Sequence, residues 1–322
     1  MADGSDPTLK QLGEFAVLDR LIAGRPNAVG VTVGPGDDAA VIDAPDGRVA
    51  VSTDMLVEGR HFRLDWSTAH DVGRKAIAQN AADIEAMGGR VTAFVVGFGA
   101  PASTSAARVA ELGDGMWAEA AVLGAGIIGG DLVASPQWVV SVTVLGDLGG
   151  RAPVLRRGAK VGAVIAVAGE LGRSAAGLAL WDKGINDFED LRRRHLVPRP
   201  PYGQGVAAAE AGAQAMTDVS DGLLADLGHI AIASGVTMDL DPAALRSDVD
   251  AVTAAAQVVG AEPWSLVLGG GEDHALVACF PDAAPPGWRV IGTVRNGPGD
   301  GIGEVLLDGV RWSGAAGWQS FD

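Results

Sequence analysis

The sequence predicts an α/β protein built on mixed sheets and divided into two domains. Three observations carry that expectation. Segments with apolar residues at helical spacing are interleaved with short β-branched runs in which apolar and polar residues alternate. A chain of 322 residues, 48% apolar and 20% charged, is long enough to bury two cores. The run Gly149-Gly150-Arg151-Ala152-Pro153 breaks the pattern near the middle and sets the expected domains at 1–149 and 150–322.

Composition narrows the function. The formal charge is 24 − 40 = −16, which argues against nucleic-acid binding through basic patches. An acidic chain that handles phosphates needs metal ions between itself and them. The single cysteine, Cys279, lies in an apolar run and reads as a small buried hydrophobe, in keeping with a reducing compartment. The N-terminus has neither the basic region nor the apolar core of a signal peptide, and no apolar run approaches ~20 residues. The expectation is a cytoplasmic protein with no membrane partner.

In chain order, residues 8–24 carry Leu9, Leu12, Phe15, Leu18 and Ile22 at helical spacing and end in Gly24. Residues 34–61 read as two strands joined by a turn at Pro45, Asp46 and Gly47. Antiparallel pairing of those strands would bring Asp37 and Asp38 beside Ser52, Thr53 and Asp54. Carboxylates gathered there repel one another unless a cation compensates, and hard oxygen donors suit Mg²⁺. A helix follows at about 68–88, opened by a Thr68/Asp71 capping box. Its stripe Val72, Ala76, Asn80, Asp83, Met87 is apolar except at Asn80 and Asp83, which reads as metal coordination or a hydrogen bond to a neighbouring element.

A strand (91–101) and a helix (about 103–123) come next. Residues 124–129, GAGIIG, match G-x-G-x-x-G, but a helix precedes them and strands follow, so Gly124 is a helix terminator and not a dinucleotide fingerprint. Asp131 follows Gly129 and Gly130, whose bare backbone leaves room beside its carboxylate. A strand occupies 138–149. Beyond the boundary come a basic turn with Arg156 and Arg157, a strand, helices near 172–183 and 187–195, and an alanine-rich helix. In TDVSDGLLADLGHI (217–230) one of Asp218, Ser220 or Asp221 suffices to cap the helix from Gly222, which leaves oxygen donors over for a cation. Gly269, Gly270 and Gly271 precede Glu272 and Asp273 and suggest close approach of backbone to a ligand.

Taken in order, GEFAVLDRL, GDDAAV, STDMLVEGRHF, NAADIEAMG, GGD, TDVSDGLLADLGHI and GGGED resemble the thiamine-monophosphate kinase family over nearly the whole chain. The resemblance implies a two-domain, PurM-like ATP-binding fold shared with aminoimidazole ribonucleotide synthetase and selenophosphate synthetase. It implies a homodimer formed through the N-terminal sheet, and ATP-dependent phosphorylation of thiamine monophosphate to thiamine diphosphate. The N-terminal domain would bind Mg-ATP and the C-terminal domain would complete the substrate cleft. By motif match, Asp38, Ser52, Thr53, Asp54, Asp83, Asp131, Asp218 and Asp221 fall on the family's Mg²⁺ positions. Arg156, Ser220 and Gly130 fall on its ATP positions, and His61, Glu272 and Trp318 on those near thiamine phosphate. No residue is implied as general base or nucleophile. The chain departs from the pattern after GGED, where an aromatic residue and an acid are usual and His274 and Ala275 stand here. Another acceptor on the same fold and a non-catalytic Mg-nucleotide module are the competing readings.

Overall fold

The computed structural model describes residues 6–35, 39–297 and 303–317. The chain divides into two compact units, Met1–Ala81 with Val91–Gly149, and Ala82–Arg90 with Gly150–Asp322.

The first unit runs α1 (Leu9–Leu12), α2 (Glu14–Ile22), β1 (Val31–Val33), β2 (Val41–Ile42), β3 (Ala50–Val57), α3 (Ala69–Ala86, whose last turn belongs to the second unit), β4 (Arg90–Ala100), α4 (Ala106–Val122), β5 (Gly126–Ala134) and β6 (Val139–Asp147). The predicted helix over 8–24 is two helices, because Gly13 turns left-handed at φ 77 between them. The predicted hairpin is also revised. The turn at Ala44–Gly47 closes with a 2.9 Å hydrogen bond, yet β2 pairs with β1 while β3 pairs antiparallel with β6. Strand β3 offers eight residues of alternating pattern, and β6 matches it residue for residue from Ala50↔Gly146 to Val57↔Val139. A longer ladder outcompetes a two-residue strand.

The four-stranded sheet has the order β3-β6-β4-β5. One face is buried through Leu56, Phe94, Val140, Val142 and Val144. Helices α3 and α4 cross so closely that a Cβ on Gly73 would lie 2.1 Å from Leu112 O, and one on Gly115 2.0 Å from His70 O. The opposite face carries Val51 and Met55, 63% and 53% exposed.

The second unit contains β7 (Val164–Ala168), α5 (Arg173–Asp182), α6 (Glu189–Leu196), α7 (Gln204–Glu210), β8 (Ala215–Asp218), α8 (Leu223–Ser234), β9 (Val236–Leu240), α9 (Arg246–Val259), α10 (Pro263–Gly269), β10 (Leu276–Phe280), β11 (Arg289–Asn296) and β12 (Glu304–Leu307). Its six-stranded sheet runs β12-β9-β11-β7-β10-β8, antiparallel except for β12 with β9. Strand β10 is buried at every residue, and burial pushes the Cys279 thiol up to about 12, as an inert core position requires. Among the described residues no single helix is long and apolar enough to cross a membrane.

Candidate active site

In the first unit, the alternation of β3 decides which side chains share a face. Asp54 pairs with buried Val142, so Ser52 and Asp54 look toward the helices. The Asp54 N–H donates to Asn80 Oδ1 at 3.0 Å, and Asn80 Nδ2 donates to Ala76 O at 2.8 Å. The polar interruption of the α3 stripe at Asn80 is thus a bond to β3. Thr53 points to the opposite face, where its hydroxyl donates to Val142 O at 2.9 Å. Beyond β3, His61 Nδ1 accepts the Val57 N–H at 3.0 Å, which places its ring hydrogen on Nε2. Lys75, 2% exposed, donates to His61 O at 2.9 Å. A buried lysine bracing that turn gave no signal in the sequence.

Asp131 stands apart from Asp54. It pairs with Gly97, whose Cβ position neighbours Ser141, and Ser141 pairs with Met55, so Asp131 shares the open face. Strands β3 and β5 are the two edges of the sheet, about 14 Å apart at ~4.8 Å per neighbour. Within one chain the sheet does not bring Asp54 and Asp131 together.

The second unit concentrates its carboxylates where β8 runs into α8 and where α10 runs into β10. Helix α8 is not capped by Asp218, Ser220 or Asp221, as the sequence suggested. Instead Asp226, inside its first turn, turns back and accepts the N–H groups of Asp221 and Gly222 at 3.0 and 3.1 Å. Asp226 is 2% exposed, and burial with the charges of Asp218 and Asp221 pushes its pKa up to about 7. Burial and Asp218 also raise Asp221, opposed by His229, Arg156 and His274. Ligand atoms of Asp221, Asp226 and His229 lie within 4.8 Å of one another. Crowded, partly buried carboxylates of this kind fit a divalent ion with a preference for oxygen, such as Mg²⁺.

The glycine run serves the chain itself. Cβ atoms at Gly269, Gly270 and Gly271 would strike Ala315 O at 2.6 Å, Leu266 O at 2.1 Å and Ser220 O at 2.6 Å. The close approach expected of a ligand is therefore made by neighbouring backbone. It lets the Glu272 N–H reach Ser220 O at 2.7 Å and the His274 N–H reach Val219 O at 2.9 Å. Glu272 and His274 both adopt left-handed backbone, φ 62 and 51. Between them Asp273 accepts the N–H groups of Gly172 and Ser174, the latter at 2.8 Å. Burial pushes Asp273 up to about 7, outweighing those two donors. Glu272 Oε2 lies 3.3 Å from His195 Nδ1, which also lies 3.2 Å from Ser174 Oγ. His274 Nδ1 lies 3.1 Å from Asp218 Oδ2.

The expected site residues are spread over both units. Ser52, Thr53, Asp54, His61, Gly130 and Asp131 belong to the first, and Asp83, Arg156, Asp218, Ser220, Asp221 and Glu272 to the second. Asp38 and Trp318 lie outside the described residues, as does Asp37. Asp226, His195 and His229 were not singled out from the sequence, and Asp273 was noted only as part of the GGGED run. The Asp226-x-x-His229 spacing was the one signal available, since it puts both on one helix face.

Two α/β units with carboxylates gathered at strand ends define a class of fold. Models of the AIR synthase related protein match the chain as an N-terminal domain over residues 36–148 and a C-terminal domain over 160–303. The chain is 69% identical to the thiamine-monophosphate kinase of Mycobacterium tuberculosis over 315 residues, 98% of this chain and 93% of that one. It is 41% identical to the Corynebacterium glutamicum kinase over 323 residues, covering 98% and 95%. Among solved structures, AaThiL complexed with AMPPCP and TMP superposes with a TM-score of 0.77 at 28% identity, covering 99% and 100%. This chain belongs to the thiamine-monophosphate kinase family.

Proposed function

We infer that this chain transfers the γ-phosphoryl group of ATP to thiamine monophosphate, giving thiamine diphosphate. The observation that carries the reading is 69% identity to a thiamine-monophosphate kinase across 98% of the chain. The acceptor phosphate is itself the nucleophile, largely ionised at neutral pH because its second pKa is about 6. Transfer is direct, and the protein's part is to hold two anions in line and to offset their charge. Asp38, Ser52, Thr53, Asp54, Asp83, Asp131, Asp218 and Asp221 would hold Mg²⁺, which supplies charge neutralisation when bound. Arg156, Ser220 and Gly130 would meet ATP; His61, Glu272 and Trp318 would meet thiamine monophosphate, with Glu272 facing its cationic ring. In this reading residues 1–149 form the Mg-ATP-binding and dimerisation domain, 150–322 complete the substrate cleft, and the enzyme works in the cytoplasm.

Homodimerisation belongs to the same proposal. Exposed Val51 and Met55 on the open sheet face favour it. So does Asp131, which lies on the face opposite Asp54 and reaches a shared ion with it only from a second copy. The test is ATP consumption and thiamine diphosphate formation, with and without thiamine monophosphate. Turnover that ignores the acceptor, or a stable label on protein incubated with γ-labelled ATP alone, would refute direct transfer.

A further inference from the structure

His274 occupies the position where the family pattern has an aromatic residue. It is 5% exposed, and its backbone lies at φ 51, a region histidine enters more readily than most residues. Two backbone bonds fix it against the end of β8: its own N–H to Val219 O at 2.9 Å, and the Val219 N–H to Ala275 O at 2.8 Å. Ala275 is 1% exposed and Gly169 lies against it, a Cβ there falling 3.1 Å from that of Ala275. The ring lies toward Asp218, itself 5% exposed, with Nδ1 3.1 Å from Oδ2. An ionised carboxylate only accepts, so Nδ1 carries the hydrogen.

The ring's hydrogen bond takes one lone pair of Asp218 Oδ2 and holds that oxygen toward His274, which favours a cation at the other oxygen. A carboxylate biased this way bonds end-on. End-on oxygens suit Mg²⁺, which demands near-octahedral geometry, whereas Ca²⁺ accepts two-oxygen carboxylate bonding and more ligands. We propose that His274 is a positioning residue that holds Asp218 as a one-oxygen ligand and so sets the preference for Mg²⁺ over Ca²⁺ at that carboxylate. The inference rests on the reading of Asp218 as a metal ligand. A ring without a donor in this place would leave both oxygens available.

The experiment is calorimetric titration of the full-length protein with Mg²⁺ alone and with Ca²⁺ alone, without substrates. His274→Phe removes the donor and keeps a ring, and His274→Leu is a second donorless variant should the first fail to fold. His274→Asn places an amide N–H near the Nδ1 position and tolerates positive φ. The expected result is a Mg²⁺-to-Ca²⁺ affinity ratio about tenfold lower in the donorless variants, the effect of losing a partner of a ligand, with His274→Asn close to wild type. Asp218→Asn separates the two ideas. If it weakens Mg²⁺ binding while the donorless variants keep the wild-type ratio, the role of His274 is overturned and the ligand reading survives. If Asp218→Asn binds Mg²⁺ as the wild type does, both fall.

Discussion

Three helices of the second unit begin differently from α1, α3 and α4 of the first. In the first unit the caps are side chains that are not buried: Thr8 with Gln11 at α1 and Thr68 with Asp71 at α3 are local, and at α4 Ser105 is joined by Asp6, whose carboxylate accepts the Ala107 N–H at 2.8 Å. In the second, α5, α7 and α8 each start from a left-handed glycine, Gly172, Gly203 and Gly222 at φ 76, 83 and 127. Glycine has no side chain to offer, and a buried carboxylate takes the free N–H groups, from a distant part of the chain at α5 and α7 and from the helix's own first turn at α8. Asp273 serves Gly172 and Ser174, Glu85 serves Gly203 and Gly205 at 2.8 Å each, and Asp226 serves Asp221 and Gly222. Burial raises the pKa of all three. A local cap fixes one helix end; a distant one ties two elements together and fails as a unit.

The largest effect should come at Asp226, where the cap also shapes the loop carrying Asp218 and Asp221. Asp226→Ala frees two backbone donors beside two candidate ligands. Displacement of that loop by about 1 Å should lower kcat on the order of 100-fold. Steady-state rates at saturating Mg²⁺ and ATP measure it; wild-type kcat in a folded Asp226→Ala protein would mean that the loop keeps its shape unaided.

Next is stability. Asp273→Ala leaves the Gly172 and Ser174 N–H groups buried without an acceptor, at ~1–3 kcal/mol each, so the variant should lose about 2 to 5 kcal/mol in urea unfolding. The same residue sets a pH dependence. Its folded pKa of about 7 lies above the ordinary 3.8, so the folded state holds the proton longer than the unfolded one. Its stabilising contribution is then complete below pH ~4 and is lost as pH rises toward ~7. Subtracting the Asp273→Asn profile from that of the wild type should leave a curve falling across this window. A flat difference would place Asp273 as an ordinary ionised cap.

That contrast also governs what the sequence discloses. Thr68 and Asp71 are three residues apart, so their box is legible from the sequence alone, as are Gly124 at the end of α4 and the buried Cys279. Nothing at Glu85 announces that it will meet Gly203, because the pair is joined only by the fold. Asp273 was visible as part of GGGED but not as the cap of α5. The hairpin expected over 34–61 failed for a related reason: adjacency in sequence favours β2 with β3, whereas the long register of β6 decides. Asp54 and Asp131 could be matched as metal positions from their motifs, but only the strand order shows them on opposite edges and faces of one sheet.

The smallest effect should be at a local cap. Thr68→Ala removes the hydroxyl that accepts the Asp71 N–H at 3.0 Å. Thr68 is exposed, so water can replace that acceptor, and the Asp71 carboxylate still takes the Thr68 N–H at 3.3 Å. The loss should be about 1 kcal/mol, within the ~0.5–2 that N-cap replacements cost, and Thr68→Ser should restore most of it. Urea unfolding of Thr68→Ala beside Asp273→Ala tests the contrast directly. Equal losses in the two would show that solvent does not rescue the local cap, and the distinction between exposed local caps and buried distant ones would collapse.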